Sequence, residues 1–210
     1  RMLMSLDTST TSRPSSTSDS RVYVKRSTDA GATWGAAIDL SAVSSITSTA
    51  IVTPGDISAI VAFSDTTGTK VGVMWATPTS GATLGTSKLH FAWHNDPDPT
   101  TPWTLQLVPL PNPADDHIDM KSLRASKGVV FAAIKMNTPA SNGSSPLTGL
   151  VTRDVDGTFS FHRYSNKADD DTRPIVLIDQ ANVANAADDQ AYMFITGKQG
   201  GSKICYKSLP

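Results

Sequence analysis

Apolar and polar residues alternate along most of this chain with period two, the spacing of strands that turn one face to a core and the other away from it. The run "RMLMSLD" is followed by a polar stretch and then by "RVYVKRS", after which a turn carrying Trp34 leads into "AAIDLS". Beyond a Ser/Thr-rich connection come "ISAIVAFS", "KVGVMWA", "KLHFAWH" and "WTLQLVPL". The next runs are "HIDMKSL", "GVVFAAIKM", "TGLVTRD" and "TFSFHRYS", and the last are "RPIVLID", "QAYMFITG" and "SKICYKS". Fourteen strands are predicted, and continuous helical periodicity is nearly absent.

The runs fall into groups of four separated by longer connections. Ile57, Ile118 and Ile175 open corresponding strands, with spacings of 61 and 57 residues. A four-stranded antiparallel unit cannot bury both faces alone, so neighbours must stack on it, and radial stacking of such units is a β-propeller. The expected fold is therefore all-β: a partial propeller with two whole blades and two incomplete ones, the alternative being a β-sandwich. The blades are placed approximately at 1–49 (incomplete), 50–111, 112–168 and 169–210 (incomplete), within one propeller segment. A bare apolar sheet face is expected at each end, a surface that marks contact with remaining blades or another protein chain.

Between a predicted third and fourth strand the sequence reads "STDAGATW", with Ser27, Asp29, Gly31 and Trp34 at the fixed places. Asp29 can accept hydrogen bonds from backbone N–H groups of its own turn, Gly31 permits a left-handed backbone, and Trp34 supplies apolar surface to cover the strand edges. The stretch resembles the Asp-box, or BNR, repeat of sialidase-like propellers. The resemblance implies a structural role for these four residues, away from any catalytic mouth. Two later turns stand in the same phase. "TRDVDGTF" keeps Asp154 or Asp156 with Gly157 and has Phe159 for the Trp, whereas "WHNDPDPTTPW" lacks the glycine and retains Trp103.

In propellers, ligand sites generally lie where the outer strand of one blade leads into the inner strand of the next. Those connections read "TPGDIS", "PNPADDHIDM" and "NKADDDTRPI". They carry Asp56; Asp115, Asp116, His117, Asp119 and Lys121; and Asp169, Asp170, Asp171 and Arg173. Convergence of these groups would hold a hydroxyl-rich ligand such as a carbohydrate, with Trp75, Trp93 or Trp103 offering a stacking face; Asp56, Asp119, Trp93 and Trp103 are the ligand-binding candidates. A glycosidase needs two carboxyl groups about 5 to 9.5 Å apart. Asp116 and Asp171 are the pair to test, with His117 as proton carrier and Arg173 beside them. Alternatively, the same Asp residues cap turns.

Composition narrows the classes. The 18 basic and 19 acidic side chains are interspersed, for a net charge of -1, so no stripe tracks a nucleic-acid backbone. All four His residues lack a close pair with the single Cys205, which leaves no zinc-site spacing and no intrachain disulfide. No cofactor is implied; the oxygen-rich "ADDDT" is the one run that would suit a hard cation such as Ca2+. No apolar run approaches membrane length, and the Ser/Thr-rich composition leans toward a secreted or surface protein, in which Asn142-Gly143-Ser144 would be a glycosylation acceptor. Without an apolar leader or a first Met, the chain reads as a processed product or an excised piece.

Glu is absent from the whole sequence. The Tyr–Glu pair that the sialidase resemblance implies cannot be assembled from this chain, nor is the family's Phe-Arg-Ile-Pro signature present. The expectation is thus a propeller scaffold that recognises carbohydrate. The alternatives are part of a glycan-degrading hydrolase or lyase, and a structural assembly module.

Overall fold

A computed structural model of the chain describes residues 2–7, 22–40, 58–77, 88–96, 102–115, 123–138, 141–179, 190–197 and 203–209. These form strands β1 (Met2–Asp7), β2 (Val22–Ser27), β3 (Ile38–Asp39), β4 (Ala59–Asp65), β5 (Gly68–Thr77), β6 (Lys88–Asn95) and β7 (Thr104–Val108). The second half supplies β8 (Leu123–Ser126), β9 (Val129–Lys135), β10 (Pro146–Arg153), β11 (Phe159–Asn166), β12 (Thr172–Asp179), β13 (Gln190–Gly197) and β14 (Lys203–Leu209). A 3-10 turn lies at Lys167–Asp169, and no helix among the described residues is long and apolar enough to cross a membrane.

The strands pair antiparallel with their sequence neighbours into four sheets: β1-β2-β3, β4-β5-β6-β7, β8-β9-β10-β11 and β12-β13-β14. The grouping into two full sheets flanked by two of three strands follows the predicted phase. Of the three Ile residues expected to open inner strands, Ile175 lies in β12, while Ile57 and Ile118 fall outside the described residues.

Side-chain alternation then decides what each sheet touches. In β5, Val71, Val73 and Trp75 turn to one side and Met74 and Ala76 to the other, and all five are buried. A strand covered on both faces reads as a nearly unbroken apolar run, which is why "KVGVMWA" looks as it does. Three hydrophobic clusters result. Val22, Val24 and Leu40 of the first sheet pack on Val71, Val73, Trp75 and Trp103 of the second. Phe63, Met74 and Phe91 of the second pack on Val130, Ile134 and Val151 of the third. Phe131, Ala133 and Leu150 of the third meet Val176, Met193 and Ile195 of the fourth.

The sheets are therefore stacked in chain order, each cluster joining one sheet to the next. A two-layer sandwich would leave one face of every sheet open, whereas both middle sheets here are covered on both faces. The first strands are neighbours as well: β4 packs beside β8, and β12 beside β8 and β9. Blade-like sheets succeeding one another about their first strands make a partial β-propeller.

Two glycines allow the sheets to close over aromatic rings. A Cβ on Gly72 in β5 would lie 2.3 Å from Cζ of Phe91. One on Gly149 in β10 would lie 2.3 Å from Cε2 of Phe161. Each ring occupies the space that a side chain would take. Phe91 is fully buried, which contributes about 1.5–3 kcal/mol by removing the ring from water, and Phe161 is partly buried.

Candidate functional site

The turn from β2 to β3 is locked by its own side chains. Ser27 Oγ donates to Asp29 Oδ1 at 2.7 Å and accepts from the Gly31 N–H at 2.7 Å. The Thr33 N–H donates to Asp29 Oδ1 at 2.9 Å and the Thr33 hydroxyl to Asp29 Oδ2 at 2.6 Å. These bonds from Thr33 and Ser27 hold the Asp29 carboxyl down at about 2. Ala30 and Gly31 are both left-handed, at φ 57° and 95°, and Gly35 N–H closes the turn on the Arg26 carbonyl at 2.9 Å. Trp34 is half-buried.

The β10–β11 turn occupies the same place in its sheet but is clamped differently. Asp156 Oδ1 accepts from the Thr158 N–H, two residues on, at 2.8 Å, where Asp29 reaches four residues on. Gly157 is left-handed at φ 89°, and Phe159 meets Phe91 edge-on with centroids 6.1 Å apart. Position in the sheet is shared, and so is the aromatic after the glycine. The acidic clamp is not.

Between the second and third sheets, at this same end, lies a seam of charge that the sequence reading did not anticipate. Lys70 is fully buried in β5. Its Nζ lies 3.0 Å from Asp65 Oδ1, donates to Asn95 Oδ1 at 2.8 Å and to the Thr67 hydroxyl, and sits 4.8 Å above the Trp93 ring. Burial pushes the Asp65 carboxyl up, but the bonds from Thr67 and Lys70 outweigh it and leave it below the usual range. From β10, Arg153 crosses the interface. Its Cζ is 5.4 Å from the Phe63 ring, 5.7 Å from Phe91 and 5.8 Å from Trp93, and its Nε donates to Gln106 Oε1 at 2.9 Å. Gln106 in turn donates to the Gly157 carbonyl at 3.3 Å. Cation–π contact and one charge-assisted hydrogen bond thus bolt two sheets together. The available signal was parity: Lys70 shares the face of Met74 in a run buried on both sides.

The opposite end carries the connections that lead into first strands. Asp115 forms an ion pair with Lys135 at 3.1 Å, and its N–H donates to the Lys135 carbonyl at 3.0 Å. Asp171 is buried, only 8% exposed, and its carboxyl is raised chiefly by that burial. A bond from Ser165 opposes the rise, while Asp169 and Asp170 add to it. Ser165 Oγ is also 2.6 Å from Thr148 Oγ1. Asp170 and Arg173, on either side, are both left-handed at φ 52°. Asp169 Oδ2 accepts the Asn166 N–H at 2.8 Å, so this carboxylate caps its own turn. Arg173 is exposed.

The predicted site residues are only partly in view. Asp56, Asp116, His117 and Asp119 lie outside the described residues. Trp103 is 5% exposed and packs on His94 with ring centroids 4.3 Å apart; Trp75 is 1% exposed and stacks on His90 at 5.5 Å. Trp93 is half-buried beneath Lys70 and Arg153. The rings of Trp75 and Trp103 are committed to packing, and that of Trp93 is partly covered. Among the described residues, no group of three or more His, Cys, Asp or Glu side chains is placed to hold a metal ion. Comparison of the sequence with protein-family models and with curated proteins gave no match.

Proposed function

We propose that this chain is a β-propeller scaffold, a stack of sheets that unfolds as one body and holds the connections at one end for recognition of a hydroxyl-rich ligand such as a carbohydrate. The observation that carries the reading is the Lys70–Trp93–Arg153 seam: the buried Arg153 of the third sheet donates its hydrogen bond to Gln106 and lies on Phe63, Phe91 and Trp93 of the second, where Lys70 is sealed over the same Trp93 ring. Burying cations is costly unless they are paired: Arg153 is paired across the interface by Gln106, whereas Lys70 is paired within its own sheet by Asp65, Thr67 and Asn95. Chemistry of the sialidase kind has no support in the composition, because the chain has no Glu.

The test is cooperativity. All four Trp residues lie between positions 34 and 103, so Trp fluorescence follows the first two sheets and far-ultraviolet circular dichroism follows all four. A scaffold joined through Arg153 predicts coincident urea transitions by both probes. Arg153→Ala should move both together by about 3 kcal/mol. Two separate transitions would overturn the reading, and so would glycoside turnover that Asp171→Asn abolishes.

A further inference from the structure

The chain contains one Asn-Gly pair, Asn142-Gly143, and one Asp-Gly pair, Asp156-Gly157. In either pair the glycine nitrogen stands a five-membered ring's reach from the side-chain carbonyl carbon before it, and a neighbour held that close reacts as though at high concentration. Glycine has no Cβ to crowd the approach. The two pairs are alike in sequence and opposite in their surroundings.

At the second pair both reacting groups are engaged. The Gly157 N–H donates to the Asp154 carbonyl at 2.9 Å, and Asp156 Oδ1 accepts from the Thr158 N–H at 2.8 Å. At the first pair they are open. Asn142, Gly143 and Ser144 are all exposed in the connection from β9 to β10, where the Ser145 N–H closes a turn on the Asn142 carbonyl at 3.1 Å. Among the described residues no hydrogen bond engages the Gly143 N–H. The Ser144 hydroxyl donates to Asn142 Oδ1 at 3.2 Å. That donor stands at the oxygen on which charge gathers when the side-chain carbonyl is attacked, so it favours the attack. Nor does the fold require a glycine at this place. The Gly143 backbone is not left-handed, and a Cβ would meet only the Ala168 Cβ, at an ordinary contact distance of 3.6 Å.

We propose that Asn142 is a site of spontaneous covalent modification, at which its side-chain amide is lost to the neighbouring main-chain nitrogen. The Gly143 nitrogen gives up its proton to water and attacks Asn142 Cγ. A bond forms between them, the Cγ–Nδ2 bond breaks, and Nδ2 leaves as ammonia with a proton from solvent. Water then opens the ring. Cleavage at Cγ gives aspartate, and cleavage at the main-chain carbonyl carbon gives isoaspartate, with the chain running through the former side chain. Nothing is oxidised or reduced, and one amide is exchanged for one carboxylate. The change lands beside the acidic connection into β12. The Gly143 carbonyl accepts the Ala168 N–H at 2.9 Å and the Ser145 carbonyl accepts the Lys167 N–H at 2.9 Å, which ties the turn to the segment carrying Asp169, Asp170 and Asp171. Conversion adds negative charge there and removes the nitrogen on which a glycan at Asn-Gly-Ser would be built.

The test is storage of the folded chain in neutral buffer at body temperature, with isoelectric focusing to follow acidic species and peptide mass mapping to place them. The wild type is expected to gain a species that focuses with Asn142→Asp, and isoaspartate is expected at residue 142 and not at residue 156. Gly143→Ala should slow the conversion about tenfold, because a Cβ crowds the attacking nitrogen. Its melting temperature should stay that of the wild type, since the added methyl fits. Ser144→Ala should slow the conversion about threefold, the share of a single exposed hydrogen-bond donor. An Asn142 that stays intact when the urea-unfolded chain has converted overturns the proposal, because the fold would then shield it. So does an acidic species that forms as fast in Gly143→Ala as in the wild type. Equal rates in Ser144→Ala and the wild type would refute the part given to the hydroxyl.

Discussion

Acidification should weaken this fold through His90, and the size of the effect can be worked out. The imidazole is 4% exposed and stacked on Trp75, and burial, with the charge of Lys88 adding to it, lowers its pKa from 6.5 to about 4. At neutral pH the group is uncharged in both folded and unfolded chains, so it has no pH-linked effect on stability. Below pH 6.5 the unfolded chain takes up a proton that the folded chain refuses until about pH 4. The unfolded state thus binds more protons throughout that window, and stability falls as pH falls. A displacement of this size is worth on the order of 3 kcal/mol at the bottom of the window. That is a large share of the roughly 5–15 kcal/mol by which domains are stable. The assay is urea unfolding of the wild type and His90→Gln at several pH values from about 7 to about 4, scored as the difference between the two proteins. Other titrating groups, Asp171 among them, cancel in that difference. The wild type should lose about 3 kcal/mol more than the variant. Parallel curves would show that His90 takes its proton freely in the folded chain, and the argument from burial would fail.

Other outcomes follow from single contacts. Gly128→Ala should destabilise the fold by about 2 kcal/mol or more in the same assay, because Gly128 is left-handed at φ 87° and a Cβ would lie 2.4 Å from the Ser64 carbonyl oxygen. Asp29→Ala should lower the melting temperature at neutral pH by removing the acceptor for Ser27 and Thr33, and Asp29→Asn should restore part of the loss. Since its folded pKa is depressed to about 2, the Asp29 contribution is present in full above pH 3.8 and disappears as pH falls through about 2. The gap between wild type and Asp29→Ala should therefore persist at pH 5 and close only in strong acid.

Asp29 was readable as an acceptor for its own turn because the bonds close within seven positions, from Ser27 to Thr33, although Thr33, which donates two of them, was not singled out in the sequence. Local chemistry of that kind needs no knowledge of the rest of the fold. Lys70 and Arg153 are the contrary case: parity within an apolar run marks Lys70 as buried, but nothing local shows that Arg153 crosses to the neighbouring sheet. Lys70 has local partners in Asp65 and Thr67, but its third arrives from 25 positions away in Asn95, and the partner of Arg153 from 47 positions away in Gln106. Trp75 reads more readily as sheet packing than as a sugar platform, and Trp103 reads as a ligand-binding candidate. Only the first sheet, laid over them with Val22, Val24 and Leu40, decides for packing.

What the sequence determined alone is the alternation of faces, and with it the strands, their antiparallel grouping and the self-contained turn at Asp29, since each depends on neighbours a few residues apart. The tertiary structure decided which face meets which sheet, and so which charges are sealed and which apolar residues stay open. That choice rests on the desolvation of side chains by strands distant in the chain, a quantity that exists only once the sheets are stacked.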